Sequence, residues 1–334
     1  MTDPPRRLSA AHRPAALSVP SALSGPTAVI VRAGEIVRAS VSVLGVVLLL
    51  GGCAPAPTAT FDASSLDRFR GADGLLHDHD VRGLDGDVLP EGSLEEGLWT
   101  TGAAMRLLQT QGIEPQLDAV TAARVDDVAA SAATSADAPQ TLIAVARVCA
   151  LTSRASAGCE SAVAAATTLL ADPDADALDA ADPVTLIETA SDLAVVDGVP
   201  GTALHRALTT DDDDPCIRSA VIRHLVRVDG LGRLRAVPDP RALTDAVLDA
   251  LERGDLDAAL CRSGIAAAAD GATPDRDEDW LQEPFEAAVA AGFSRLSDGW
   301  YRAASGRGAV DVTRMLSQVS FDLSVELNVS VELN

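Results

Sequence analysis

The chain has 334 residues, 47% of them hydrophobic, which is enough apolar surface for a substantial core and excludes a mainly disordered protein. The net charge of −23 argues against a nucleic-acid partner, and the absence of lysine excludes Schiff-base chemistry and a Walker A phosphate loop. Only 3% of the residues are aromatic, so alanine, leucine and valine must form the core, and this composition favours closely packed helices.

The first predicted element is an apolar run over residues 41–50, VSVLGVVLLL, which follows Arg32 and Arg38. This run is too short to cross a bilayer, which needs roughly twenty residues. A Gly-Gly pair and Cys53 come directly after it. A positive flank, a short apolar region and then small residues are typical of a secretory signal, so the sequence predicts export.

The sequence LGGC at 50–53 is followed by a segment rich in Ala, Pro and Thr. This order resembles the signal of bacterial lipoproteins, in which the cysteine of the lipobox receives a diacylglyceryl group and becomes the first residue after cleavage. The resemblance implies that Cys53 is lipidated, that residues 1–52 are a leader and signal peptide, and that 53–61 are a flexible tether. It also implies a cell-membrane location on the extracytoplasmic face. A buried cysteine after a core helix is the alternative.

Residues 62–318 are predicted to form one helical domain. Asp-Pro pairs mark several helix starts, because Asp caps the free amides and Pro at the first position lacks the N–H that would go unpaired. The predicted helices cover 93–111, 116–133, 139–153, 158–171, 183–197, 201–209, 215–229, 240–253, 256–270 and 284–291, with weaker signals at 62–70, 295–304 and 309–317. Their short links indicate an all-α fold of stacked antiparallel helical hairpins, either extended as a solenoid or closed into an α/α toroid.

Residues 84–112 read LDGDVLPEGSLEEGLWTTGAAMRLLQTQG. An Asp-Gly turn, a Ser-Leu-Glu helix start, an aromatic residue, a Leu-Leu pair and a glycine follow one another in this segment. The order resembles one repeat of the α/α-toroid group, which includes prenyltransferase β-subunits and terpene cyclases. The resemblance covers less than a tenth of the chain. It implies helices around a central cavity.

Two acidic motifs are similar to motifs of the same group. Residues 211–214 satisfy the Asp-x-Asp-Asp motif of class II terpene cyclases, but aspartates before a helix are more simply N-terminal caps. Asp214 and Cys216 match the Asp-x-Cys zinc pair of prenyltransferases. A matching downstream histidine motif is missing, and a disulfide-bonded Cys216 is not a zinc ligand. Neither motif predicts a catalytic site.

His77, Asp78, His79 and Asp80 are the strongest candidate metal ligands in the sequence. Imidazole and carboxylate groups this close together, with two more aspartates a few residues later, could gather a divalent cation. The run fails the EF-hand pattern at its fifth and twelfth positions. A solvated acidic turn is the commoner structure for such a run, and no cofactor is predicted.

Arg218, Arg223 and Arg227 begin the one basic concentration of an acidic chain, within the predicted helix 215–229. Guanidinium groups bind carboxylates and phosphates through paired hydrogen bonds, so these residues are candidates for binding an anionic ligand. Neutralisation of the aspartates at 211–214 and of other carboxylates is the commoner role and the alternative.

Four cysteines follow Cys53, and an even number in an oxidising compartment suggests two disulfides. Cys149 lies near the end of one predicted helix and Cys159 near the start of the next, so we pair these two. Cys216 is then left to pair with Cys261. Buried free thiols are the alternative.

Residues 319–334 alternate strictly between apolar and polar side chains, which is the period of a β-strand. The segment is predicted to be a long edge strand or a disordered tail. A helical body offers no sheet for its apolar face, so we expect the segment to be dispensable for the helical fold.

Nucleophile elbows, HExxH and GxGxxG are absent from the sequence, so no catalytic residue is predicted. The leading hypothesis is a lipid-anchored helical binding or scaffold protein with a protein or cell-envelope partner. Trp99, Trp300 and Tyr301 are its candidate aromatic contacts, although burial in the core is the commoner fate of such residues. The alternative is a degenerate α/α-toroid enzyme or small-ligand binder with a central cavity. A closed ring of helices with polar residues converging inside favours the alternative, whereas an open stack with a filled core favours the leading hypothesis.

Overall fold

Helices dominate the structure of this chain. A computed structural model describes residues 63–78, 80–135, 138–171, 178, 181–193, 214–228, 240–270, 279–297 and 299–327. Within these ranges there are ten α-helices, one 3-10 helix (Ala63–Phe69) and two short strands. The all-α class predicted from composition and periodicity is confirmed, with a small β element near the C-terminus.

The helix starts follow the caps that the sequence indicated. Asp182 accepts the amide of Thr185 at 2.8 Å ahead of Pro183, and Ser93 accepts the amide of Glu96 at 3.1 Å. The helices are α1 (Leu94–Thr110), α2 (Ala119–Ala132), α3 (Pro139–Leu151), α4 (Ala157–Ala171), α5 (Pro183–Asp192), α6 (Pro215–Val228), α7 (Pro240–Glu252), α8 (Leu256–Asp270), α9 (Asp279–Gly292) and α10 (Ala309–Asp322). The helix predicted at 201–209 lies outside the described residues.

Residues 293–303 form a β-hairpin, so the weak helix predicted at 295–304 is wrong. Strand β1 (Phe293–Arg295) pairs antiparallel with β2 (Tyr301–Ala303). Gly299 lies in the turn between the two strands with a φ of +89°. A glycine adopts this conformation without steric cost, and a helix cannot continue through it.

Six helices close into a ring. In ring order, α1 packs against α3, α3 against α5, α5 against α6, α6 against α8, α8 against α10, and α10 returns to α1. The sequence left open whether the helical hairpins extend as a solenoid or close on themselves. Packing of the last helix against the first closes this circuit of contacts among the described helices.

The remaining helices form a second layer on the ring. Helices α2 and α4 pack on α3, while α7 packs on α8 and α9 packs on α7. The four cysteines form the two predicted pairs, with Sγ–Sγ distances of 1.96 Å for Cys149–Cys159 and 1.89 Å for Cys216–Cys261. The first pair joins a ring helix, α3, to an outer helix, α4. The second joins two neighbouring ring helices, α6 and α8.

Residues 70–92, called the cover segment below, lie across the N-terminal end of the ring. The carboxylate of Asp78 accepts the amides of Ala309 and Val310 at the start of α10. The carbonyl of Leu84 accepts the amide of Asp182 at the start of α5. Contacts to the first turns of several ring helices show that their N-termini meet at one end, so the ring helices run parallel to one another.

Apolar side chains pack between neighbouring helices rather than at one centre. One large cluster joins α1 to α6, another joins α7 to α10, and a third lies between the 3-10 helix, α1 and the start of α10. Trp99, Trp300 and Tyr301 belong to these clusters and are buried, with Trp300 fully inaccessible. These three residues therefore belong to the core rather than to a contact surface.

The C-terminal segment is part of the fold, contrary to the expectation that it is dispensable. Helix α10 continues through residues 319–322, and 323–327 contain no strand. Val319, Leu323 and Val325 are buried in the cluster formed with α7, α8 and α9. The burial does not follow the alternation of the sequence, because Phe321 is 65% exposed while the polar Ser320 and Asp322 are buried. Residues 328–334 lie outside the described part.

Candidate functional site

Charged side chains from four ring helices meet inside the ring. Asp192 of α5 accepts the Nε of Arg147, on α3, at 2.6 Å, and lies 3.2 Å from a guanidinium nitrogen of Arg106, on α1. One turn earlier on α5, Glu188 lies 3.7 Å from Arg314 of α10. These residues are called the ring network below.

The contact between Arg314 and Glu188 shows that the ring network occupies the middle of the ring. Helices α5 and α10 are three places apart in either direction around the six-membered ring. A side-chain contact between opposite helices must cross the interior. The polar residues of the toroid therefore converge inside the ring, as the ligand-binding alternative requires.

Helix α10 carries a polar stripe. Its members follow at intervals of three or four residues, which places them on one face of the helix. The stripe consists of Asp311, Arg314, Gln318 and Asp322, and Arg307 lies two residues before the helix begins. The contacts form two separate groups: Asp311 lies 3.6 Å from Arg307 and 3.0 Å from Arg314, and Gln318 donates to Asp322 at 2.8 Å.

A cleft lies near one end of the stripe and a buried ion pair at the other. The cleft, of about 340 Å³ beside the N-terminus of α8, is lined by residues that include Arg307, Asp257 and, from the cover segment, Arg82. At the far end, Asp322 accepts Arg223 of α6 at 2.6 Å and the hydroxyl of Ser263 of α8 at 2.6 Å. Both ends of α10 therefore make polar contacts with α8.

The burial of the ring network differs from residue to residue. The side chain of Asp192 is 2% exposed, whereas those of Arg314 and Glu188 remain 13% and 23% exposed. Burial lowers the pKa of Arg314, but the negative charges of Asp311 and Glu188 outweigh it, and the pKa lies above its ordinary value. Arg314 therefore stays charged in an interior that solvent still reaches.

Trp99 lies beside the ring network on α1. The guanidinium carbon of Arg147 is 5.5 Å from the centre of the Trp99 ring, which is a cation–π distance. The buried indole Nε1 of Trp99 has no hydrogen-bond acceptor in the described part of the chain. A buried N–H without an acceptor is costly and usually meets a water or a ligand.

A second polar pair, Ser191 and His224, joins α5 to α6. The hydroxyl of Ser191 lies 2.7 Å from the Nδ1 of His224 and donates to the carbonyl of Ile187 at 2.9 Å. The donor between Ser191 and His224 depends on the tautomer of the imidazole. The contact links α5 to α6 inside the fold.

The candidate metal residues of the cover segment have other partners. His77 contacts Glu96 through Nδ1 and Asp73 through Nε2, the latter at 2.9 Å. Asp78 is the N-terminal cap of α10, while His79 lies outside the described residues. Asp80 is exposed. Among the residues described, no group of three or more His, Cys, Asp or Glu side chains is arranged to hold a metal ion.

From the contacts of His77 and Asp78, we expect the protein to become less stable as the pH rises from 4.5 to 7.5. Burial raises the pKa of Asp78 from 3.8 to about 6, although the amides of Val310 and Ala309 lower it. Burial lowers the pKa of His77, but its hydrogen bonds to Glu96 and Asp73 raise it further, so the net direction is upward. Both groups bind protons more tightly when folded, so their stabilisation is lost as the pH rises through their folded pKa values.

The pKa change of Asp78 corresponds to a loss of about 3 kcal/mol in the free energy of unfolding between pH 4 and pH 6. Urea unfolding of the wild-type protein at several pH values measures it. Asp78→Asn should flatten the slope in this interval, and Asp80→Asn, a neighbouring exposed aspartate, should leave the slope unchanged. Equal slopes for wild type and Asp78→Asn would show that Asp78 does not titrate there.

The candidate anion-binding arginines do not come together as a site. Arg223 is bound to Asp322 and to the carbonyl of Leu260. Arg218 is exposed, and the side chain of Arg227 lies outside the described residues. For Arg223 the neutralising role holds, but its carboxylate is Asp322 rather than one of the aspartates at 211–214.

Several predicted residues cannot be placed. Cys53 and residues 211–213 lie outside the described part of the chain. Asp214 caps α6 by accepting the amide of Cys216 at 2.8 Å, as expected for an aspartate before a helix.

The ring network was missed at the sequence level. Its signal was a polar stripe on α10 and the pair Glu188 and Asp192 one turn apart on α5. Both the stripe on α10 and the pair on α5 resemble the exposed face of a surface helix, because surface helices of soluble proteins turn their polar side chains towards water. Only the closure of the ring turns these faces inward.

None of the helices in the described ranges has the length and apolar composition that a bilayer crossing requires. No family model, curated protein or solved structure matches the chain. Function must therefore be inferred from the residues of the ring itself.

Proposed function

We propose that the protein is a lipid-anchored, extracytoplasmic binding protein that holds a small polar ligand inside its helix ring. The observation that carries the proposal is the cross-ring contact of Arg314 with Glu188 inside a closed toroid. Partly exposed charged side chains in an enclosed space are the groups with which proteins orient small polar ligands.

Binding is favoured over catalysis by the pairing of the charged groups. Asp192 is neutralised by two arginines, and Ser191 donates its proton to a backbone carbonyl. A general base or nucleophile needs a free lone pair aimed at the substrate. Asp192 and Ser191 offer none, and the neighbour that the structure describes for the carboxylate of Glu188 is the guanidinium of Arg314, a fixed charge suited to recognition.

A scaffold that binds a protein partner was the leading hypothesis from the sequence. The aromatic contacts named for it, Trp99, Trp300 and Tyr301, are buried in the apolar clusters. The ring interior is therefore the better candidate for the functional surface.

Binding is tested by native mass spectrometry of the full chain extracted from its own membrane in mild detergent. We expect an added mass of a small molecule on the wild-type protein. Arg314→Gln should lose this mass, and Arg253→Gln, which changes an exposed arginine after α7, should keep it. The same adduct on both variants would place the ligand elsewhere and contradict the proposal.

The anchor is tested separately through Cys53. Two or more acyl chains, at about 0.8 kcal/mol per buried methylene, hold a protein durably on a membrane. Cys53→Ser should release the protein from the membrane fraction or leave its leader uncleaved. A variant that fractionates with membranes and has the processed mass of the wild type would contradict lipidation at Cys53.

A further inference from the structure

We infer that the ligand of the ring is a small zwitterion of the free α-amino acid class, bound against the adjacent side chains of Arg314 and Glu188. This inference rests on the proposed binding function and specifies its ligand. The ligand carboxylate would accept from Arg314, and its primary ammonium group would donate to Glu188.

The first argument is charge balance. Among the described residues of the ring network and its neighbour Asp311, three guanidinium groups face three carboxylates: Arg106, Arg147 and Arg314 against Glu188, Asp192 and Asp311. Arg307 also lies near Asp311, and its charge is balanced by Asp257 at 2.9 Å. A ligand with a net charge would leave one charge uncompensated in a poorly solvated interior, which is costly. A zwitterion adds one charge of each sign and preserves the balance.

The second argument is a gap in the ring network. Arg314 uses Nε and Nη2 on Asp311, at 3.1 Å and 3.0 Å, and turns Nη1 towards Glu188 at 3.7 Å, beyond hydrogen-bond distance. Glu188 accepts no hydrogen bond from any described residue, although its carboxylate can accept several. Within the described ranges, one donor and one acceptor are therefore left without a hydrogen-bond partner at the same place.

The third argument is the geometry of the two unused groups. The guanidinium of Arg314 and the carboxylate of Glu188 belong to opposite helices, so a molecule that binds both groups touches both sides of the ring. An amino acid presents a carboxylate and an ammonium group a few ångströms apart, and it would replace one long ion pair by two charge-assisted hydrogen bonds. A quaternary ammonium group has no N–H to donate to Glu188, so a betaine should bind more weakly.

The test is isothermal titration calorimetry of the full chain with the common α-amino acids as probes. For each amino acid that binds, its amide and its N-acetyl derivative are titrated as well, and glucose, sorbitol and inorganic phosphate serve as comparison probes. We expect at least one amino acid to bind. The amide and the N-acetyl derivative should each lose about tenfold or more in affinity, because each lacks one of the two charges.

The variants locate the site. Glu188→Gln and Arg314→Gln should each weaken amino-acid binding about 10- to 100-fold, since each removes a charge-assisted hydrogen bond. Glu160→Gln, on the exposed face of the outer helix α4, should bind as the wild type does. Circular dichroism of each variant confirms that it is folded before titration.

The outcomes separate this inference from the function on which it rests. If no amino acid binds, the inference that the ligand is a zwitterion is overturned. Binding of glucose, sorbitol or phosphate that depends on Arg314 also overturns it but leaves ligand binding in the ring intact. Amino-acid binding that is unchanged in both ring variants places the ligand outside the ring and overturns both proposals.

Discussion

Removal of residues 319–334 is expected to unfold the protein. Val319, Leu323 and Val325 are buried, and their burial contributes roughly 1.5–3 kcal/mol each. The truncation also removes Asp322 and leaves Arg223 buried without its carboxylate, which costs about 3–5 kcal/mol more. The combined loss is comparable to the whole stability of a typical domain, about 5–15 kcal/mol. Circular dichroism during thermal unfolding measures it.

Two further variants keep this prediction informative when the truncated chain does not fold. Truncation after Leu327 retains every contact described for the segment, so its melting temperature should stay within a few degrees of the wild type. Asp322→Ala alone should lower the free energy of unfolding by the contribution of the ion pair between Asp322 and Arg223. A wild-type melting temperature for the chain that ends at residue 318 would show that the segment is not part of the core.

Asp192→Ala is expected to lower the free energy of unfolding by about 3–5 kcal/mol, because it leaves the buried guanidinium of Arg147 unpaired. Arg106 loses the same partner. For a domain of this size the change corresponds to a decrease in melting temperature of roughly 6–20 °C. Thermal and urea unfolding at pH 7 measure the two quantities independently.

The matched control is Asp245→Ala, which removes an exposed carboxylate from the outer helix α7 and should change stability by less than about 0.5 kcal/mol. A double variant, Arg147→Met with Asp192→Leu, should recover much of the loss, because an apolar pair avoids the cost of a buried unpaired charge. Equal stabilities for Asp192→Ala and Asp245→Ala would mean that the ring network does not hold the ring together.

Much of the secondary structure was predictable because its causes are local. The capping aspartates, the prolines after them and the 3.6-residue period act within a few residues, and the predicted helices at 93–111, 183–197 and 256–270 begin within one residue of the observed ones. The cysteine pairs were also predictable, because Cys149 and Cys159 flank a single helix–helix link and leave only one other pair.

Errors arose where two structures share one local pattern. The alternation at 319–334 fits a strand, yet residues 319–322 are helical, because α8 and the outer helices offer an apolar surface to a helix face and no sheet edge. Asp78 fits a metal-binding run, yet it caps a helix that begins 231 residues later. No local rule connects residues so far apart in the chain.

The sequence by itself determined the class of the fold, the positions of its helices and the pairing of its cysteines, because propensity, caps and periodicity depend on neighbours in the chain. Only the tertiary structure decided that the helices close into a ring and that Arg147, Asp192, Glu188 and Arg314 meet inside it. A polar helix face has the same sequence whether it meets water or another polar face. The packing of α10 against α1 removes that face from the outer surface, and so turns ordinary surface charges into a candidate binding site.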